Sequence, residues 1–256
     1  LSNFLSLVQN EQMKIYNRLR TWVMLGIILL SVVLMAIMMK YVIETGMNHV
    51  LSFLAMSTSL TSLVFLFTVI VAGDIVASEF TWGTIKLLLI RPATRSKILA
   101  AKYVSVLLVL ITFMLFLLIA SYFVGLLFFG LSGAVSDAEA FPKIMQSYGI
   151  KWIDLLMYVT LAFMVSAAFR SSSLAIGLSI CLMFTANTIV VVLAQLKYTW
   201  VKYILFANTD LSPYLLGGKP TVAGMTLGFS VTMLILYWLL FYFVSWLLFT
   251  KRDVAG

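Results

Sequence analysis

Six stretches of this sequence are long and apolar enough to cross a lipid bilayer, and they limit the fold more than any other feature. A hydrocarbon core of about 30 Å takes roughly 20 apolar residues in a helix. Runs of that kind occupy residues 22–43, 51–72, 104–129, 152–169, 174–196 and 223–249. The expected fold is an all-α polytopic membrane protein, one transmembrane domain over 1–256. Composition closes the alternatives: 63% of residues are apolar, 10% are charged and the mean hydropathy is +1.10. Soluble chains carry about 25% charged residues, so a water-soluble globule and a disordered chain are both excluded.

Orientation follows from Lys and Arg. With the N-terminus inside, eleven of the 17 fall in inner segments (Lys14, Arg18, Arg20, Lys86, Arg91, Arg95, Lys97, Lys102, Arg170, Lys251, Arg252), and six fall outside. That bias puts both termini in the cytoplasm, the expected location being a bacterial plasma membrane. The net charge of +8 is thereby spread over membrane-proximal segments instead of one soluble face, so no nucleic-acid partner is expected. The first run reads as a signal-anchor, because it exceeds the roughly 7 to 15 apolar residues of a cleavable signal peptide.

Residues 1–21 show helical periodicity. Leu1, Phe4, Leu5, Val8, Ile15 and Leu19 share one face, opposite Asn10, Lys14, Asn17 and Arg18, with Glu11 and Gln12 interrupting the stripe. An interfacial elbow helix on the inner leaflet fits this pattern, as does any membrane-proximal tail.

Candidate catalytic groups are sparse. His49 is the single histidine and reads as a solvated loop residue, which leaves no His-based metal set and no Ser-His-Asp triad. Cys181 is the single cysteine, in an apolar run, and behaves as a small hydrophobe. Gly217-Gly218-Lys219-Pro220 departs from the phosphate-loop pattern at Pro213 and Pro220. The chain is therefore read as no enzyme, with no cofactor or metal of its own.

Asp74, Glu79 and Asp253 are placed at the inner face and Glu44, Asp137, Glu139, Asp154 and Asp210 at the outer one, with none near the centre of a span. Ion-gradient transport normally uses ionisable groups in mid-membrane, so this placement argues against it. Ser57, Ser59, Thr61, Ser62 and Thr68 in the second run, and Thr185, Asn187 and Thr188 in the fifth, serve interhelical hydrogen bonds or line a substrate path; Ser57, Thr61 and Asn187 are the candidates for the path.

The inner loop 73–103 is the most informative segment. Residues 81–90 have the length of a short helix, Pro92 stops it at Arg91, and Thr94 or Ser96 offers an N-cap to the third span. Such a helix, with Glu79 on one side and Arg91, Arg95 and Lys97 on the other, suits either a cytoplasmic partner or lipid headgroups. Arg170-Ser171-Ser172-Ser173 makes a tight hairpin between spans four and five.

Glu79-x-x-x-Gly83-Thr84-x-Lys86, then Pro92-x-x-Arg95 and Lys102-Tyr103, resembles the second-to-third-span segment of type-2 ABC exporter permeases, the class with the ABCG-like (type V) fold. Glu11-x-x-Lys14 and Arg18 in the N-terminal helix, the six spans, and the segment 197–222 with Trp200-Val201-Lys202-Tyr203 and Asn208-x-Asp210-Leu211-Ser212-Pro213-Tyr214 extend the likeness to small drug or antimicrobial-peptide export and immunity permeases. The resemblance implies a half-transporter that pairs with a second permease copy or paralogue and with a separate ABC ATPase subunit, which carries the ATP and Mg. The implied coupling residues are Glu79, Gly83, Thr84, Lys86, Arg91, Pro92 and Arg95, with Glu11, Lys14 and Arg18 in the elbow helix.

Cargo is expected to be hydrophobic or amphipathic: a peptide, an antibiotic or a lipid-like molecule. The alternative function is an ion-coupled carrier or channel without an ATPase. In 197–222, Trp200, Val201, Ile204 and Leu205 are expected to share a helical face and to dip into the outer leaflet among membrane lipids, broken by Pro213 and Gly217-Gly218.

Overall fold

The structure is a computed structural model that describes residues 4–43, 49–84, 93–133, 140–169, 171–196, 198–218, 220, 222 and 224–251, apart from the side chains of Met183 and Asn187. A first helix, α1 (Phe4–Tyr16), precedes the bundle. Then come α2 (Leu19–Ile37), extended by a π turn at Met38–Val42, and a broken helix made of α3 (Val50–Ser57), a 3-10 turn (Thr58–Leu60) and α4 (Thr61–Asp74). The short α5 (Ala77–Thr81) leads to α6 (Arg95–Phe129), α7 (Phe141–Ala168) and α8 (Ser172–Gln195). A 3-10 turn (Thr199–Tyr203), α9 (Leu205–Asn208) and α10 (Ser212–Leu215) connect to α11 (Leu227–Lys251). Among the described residues, six helical spans are long and apolar enough to cross a membrane.

The faces of α2 show why lipid is the solvent. Met24, Ile28, Val32 and Ala36 recur every fourth residue and are buried, while Ile27, Leu30 and Leu34 point out of the bundle. A helix in water would carry polar residues on that outward face. Helix α7 lies deepest, packed against α4, α6, α8 and α11, with 67% of its apolar window buried, against 17% for α11. Between lipid-solvated helices the attraction comes from close packing, because lipid tails are as apolar as leucine. Phe53, Leu110, Phe113, Leu117 and Phe163 fill the interior, and Gly73 brings α4 against α8 so closely that a Cβ there would sit 3.3 Å from the Ile176 backbone.

Several expectations are corrected. The helix that carries the third expected span, 104–129, begins at Arg95, and the helix that carries the fourth, 152–169, begins at Phe141. Counting apolar runs finds the lipid-immersed part of a helix and misses the polar turns that prolong it. Thr94 does cap α6, accepting a hydrogen bond from the Lys97 amide. On α1 the buried face is Leu7, Val8, Glu11 and Ile15, whereas Leu5 points outward and Leu19 belongs to α2. The stripe is rotated because the partner surface is a helix with a cation, not only an apolar leaflet.

The Ser/Thr cluster of the second span bonds mainly to its own backbone. Thr58, Ser59, Thr61 and Ser62 each donate to the carbonyl three residues earlier, and Thr68 to that of Val64. This local competition accompanies the 3-10 break. Ser57 alone among them reaches another helix, at 3.1 Å from the Tyr148 hydroxyl. His49 is a helix cap, its Nδ1 accepting from the Leu51 amide. Cys181 faces outward.

Thr81 closes α5, and most of the helix expected over 81–90 lies outside the described residues. The chain then turns through Gly83 at φ +67°, a conformation glycine takes without strain. Pro213 starts α10 instead of breaking a helix, and Ile204 is extended, so Trp200 is exposed while Val201 and Leu205 are buried. The hairpin between spans four and five is as expected, α8 being capped by Ser171.

Candidate functional site: a charge network joining α1, α5 and α6

Four elements distant in sequence meet at one end of the bundle. Lys102, two turns into α6, is 1% exposed, and its ammonium donates to Glu11 Oε2 at 2.8 Å, Glu79 Oε1 at 2.9 Å and the Ile75 carbonyl at 3.1 Å. All three of its hydrogens are used. Lys14 donates to Glu11 Oε1 at 2.8 Å and to Glu79 Oε1 at 3.0 Å, and the Thr84 hydroxyl donates to Glu79 Oε2. Two carboxylates and two ammonium groups thus form a neutral quartet. Gln12 docks α1 further by donating to the Ser105 carbonyl of α6 at 2.8 Å.

A second knot lies beside the first. Asp74, the last residue of α4, accepts from Arg18 at 2.8 Å and Arg20 at 2.5 Å through Oδ2, and from the Ser172 hydroxyl of α8 through Oδ1. Ser166 of α7 holds the start of α5, its hydroxyl oxygen accepting from the amides of Val76 at 3.1 Å and Ala77 at 3.0 Å. These would otherwise be orphan donors of a helix N-terminus. Arg20 Nε is buried without a hydrogen-bond partner among the described residues, beside a small cavity of about 20 Å³ shared with Asp74, Glu79 and Lys102.

The electrostatics keep the quartet ionised. Burial pushes the Glu79 carboxyl up, but the charge on Lys102, the Thr84 hydroxyl and Lys14 together hold it down at about 2. Glu11 is likewise held below the usual range, the cost of burial being outweighed by Lys102 and Lys14. Lys14 is raised, its burial outweighed by Glu11 and Glu79. Fully ionised and saturated with partners, the quartet has no free base or nucleophile. Its chemistry is mechanical: it fixes α1 and the start of the 75–94 connection to α6. Among the described residues, no group of three or more His, Cys, Asp or Glu side chains could hold a metal ion.

The residues expected to matter divide clearly. Glu11, Lys14, Glu79 and Thr84 come together, Gly83 makes the turn that returns Thr84 to Glu79, and Arg18 joins the neighbouring Asp74 knot. Arg95 is elsewhere, donating to the Thr250 carbonyl of α11 at 3.1 Å. Lys86, Arg91, Pro92 and the Asn187 side chain lie outside the described residues. Ser57 and Thr61 are buried within the bundle away from the network.

Glu79 faces inward, with Oε1 engaged by Lys102 and Lys14 and Oε2 by Thr84, so it positions the connection. Lys102, Asp74, Arg20, Ser166 and Ser172 were missed as site residues. For Lys102 a signal existed, a lone cation one residue before an aromatic-rich apolar run; the serines have none.

A family model described as "Protein of unknown function (DUF2705)" matches residues 24–255. The chain belongs to that family. Two Bacillus subtilis (strain 168) proteins are similar over nearly their whole length. "Uncharacterized protein YhcI" is 36% identical across 98% of this chain and 100% of its own, and "Uncharacterized membrane protein YdbK" is 34% identical across 94% and 99%. The second name and the six apolar helical spans agree that this is a membrane-embedded protein with several transmembrane helices. The family match takes in Asp74, Glu79 and Lys102 but starts after α1.

Proposed function

We propose that the chain is the membrane-spanning subunit of an ATP-driven exporter. It moves a hydrophobic or amphipathic cargo, such as a peptide, an antibiotic or a lipid-like molecule, out of the cytoplasm or inner leaflet of the plasma membrane. A separate ATPase subunit supplies the energy, and a second permease copy or paralogue completes the path. In this reading both termini are cytoplasmic, α1 is the interfacial elbow helix, and 197–222 is an outer re-entrant segment.

The observation that supports it is the joint itself. Lys102 ties Glu11 of α1 to Glu79 of α5 inside a largely buried, neutral quartet. A push on the connection between α4 and α6 therefore moves α1 and the base of α6 together, which is what coupling to a cytoplasmic motor requires. Glu79→Ala leaves Lys102, Lys14 and Thr84 with unmet donors, at a cost of about 1 to 3 kcal/mol. Membrane insertion should persist, while ATPase stimulation and export are lost. Glu79→Gln keeps the side-chain shape and removes the charge, separating the two contributions.

The decisive experiment is co-purification with a soluble ATPase and a test for vanadate-sensitive hydrolysis. Cargo movement by the purified chain alone on an ion gradient, or full export by Glu79→Ala at ordinary expression, sinks the proposal. The ion-coupled reading gains one observation: Asp154 stands halfway along α7 with a buried carboxylate oxygen, deeper than its expected place at the outer end of a span.

A further inference from the structure

At the end of the bundle opposite the network, a groove of about 580 Å³ lies between α3 and α6, with His49, Leu54, Ile119, Tyr122 and Phe123 in its walls and Phe141, the first residue of α7, beside them. Val50 and Leu54 are buried and make its floor, while Ile119, Tyr122, Phe123 and Phe141 are exposed and make its rim. Gly125 sets the approach of the two helices: a Cβ there would sit 2.9 Å from the Phe53 ring and 3.0 Å from the Val50 side chain. The Val50 amide also donates to the Gly130 carbonyl at 2.9 Å, which ties the start of α3 to the residue that ends α6. In these walls the polar side chains are His49 and Tyr122. His49 Nδ1 accepts from the Leu51 amide at 3.1 Å, so Nε2 is the ring nitrogen that carries a hydrogen.

The groove is continuous with the lipid-facing side of α6, where Leu115, Ile119, Phe123 and Leu127 recur every fourth residue and point out of the bundle. Water finds too few polar partners on such walls. An apolar cavity of about 150 Å³ takes one benzene, so this groove has room for roughly 20 carbon atoms, the size of one acyl chain. A neighbouring transmembrane helix is the wrong shape: about 10 Å across, it would fill the volume within about 7 Å of its length, little more than one turn. The groove also reaches the ends of the spans, since His49 caps α3 and Phe141 opens α7. That is the level at which lipid tails give way to ester and phosphate oxygens, which accept hydrogen bonds.

We propose that this groove holds one acyl chain of a membrane phospholipid, with an ester or phosphate oxygen of that lipid accepting from His49 Nε2. The lipid is a resident of the resting chain, so the site stands independently of ATP-driven export and of any cargo.

The test places the full chain in vesicles of phosphatidylethanolamine and phosphatidylglycerol, with a trace of phosphatidylethanolamine that carries a photoactivatable diazirine midway along one acyl chain. Labelling mapped by mass spectrometry should concentrate on Leu51 and Ile119, about tenfold above Leu236 and Leu240 on the exposed side of α11. Ile119→Trp fills the groove from its half-exposed rim, which spares the core, and should bring labelling of Leu51 down to the level of Leu236. His49→Asn keeps a side chain that caps helices and removes the imidazole donor. It should lower the phospholipid retained per chain in detergent several-fold, read by native mass spectrometry, with melting unchanged. Even labelling across α6 and α11, undiminished labelling of Leu51 in Ile119→Trp, or undiminished retention in His49→Asn overturns the proposal. A groove shielded from the probe and crosslinked to a second copy overturns it too, and assigns the face to protein.

Discussion

At the network end of the bundle, all six carboxylate oxygens of Glu11, Asp74 and Glu79 are met by ammonium, guanidinium or hydroxyl groups. Partway along α7, Asp154 keeps one buried oxygen without a hydrogen-bond partner among the described residues, as does Asn208 at the end of α9. The network carboxylates are buried and complete, whereas Asp154 is half-buried and incomplete. A saturated network has no use for a ligand and serves as a joint, whereas an unmet oxygen is open to a water or another donor. Saturation, more than the presence of charge, is what makes the network a joint.

The comparison breaks most severely at Lys102. Lys102→Ala removes the buried cation between Glu11 and Glu79 and leaves only the more exposed Lys14 to bridge them, at about 3 to 5 kcal/mol. The expected outcome is a large loss of thermal stability in detergent and release of α1, read as protease cleavage between α1 and α2; unchanged melting would mean that the quartet is not a structural joint. Ser166→Ala comes next. It strips the acceptor from the Val76 and Ala77 amides, each loss being worth about 1 to 3 kcal/mol, and should loosen α5 while α7 stays intact, visible as faster hydrogen exchange confined to residues 76–81.

Acid sharpens the contrast further. Glu79 titrates at about 2 in the fold against an ordinary 4.5, so its contribution is fully present above about 4.5 and is lost as the pH falls from there towards 2. Glu11 shifts in the same direction. The stability difference between the native chain and Glu79→Gln should therefore shrink across that window, and a difference constant with pH would contradict the ion pairing. The smallest effect is expected for Arg18→Ala. Arg18 is 44% exposed and Arg20 still holds Asp74, so the loss should be about 0 to 1 kcal/mol, within the scatter of a melting measurement.

How much was legible in the sequence follows from the range over which each signal acts. Apolar run length alone gave the six spans, since bilayer thickness imposes a ruler on every helix. Thr94 and Ser171 could be read as caps or turns because capping is local. Glu11, Lys14, Glu79 and Thr84 could be singled out by motif, but their common destination could not. Glu11 lies 91 residues from its partner Lys102, and nothing in either neighbourhood names the other.

The sequence by itself determined that the chain is an all-α membrane protein, because hydropathy and helix length are properties of consecutive residues. Only the tertiary structure decided which face of α1 is buried, that Glu79 points inward, and that Asp154 and Asn208 are left with unmet oxygens. Those outcomes depend on which helices pack together, and helix packing in lipid is set by shape and by a few polar contacts that the chain brings together from distant positions.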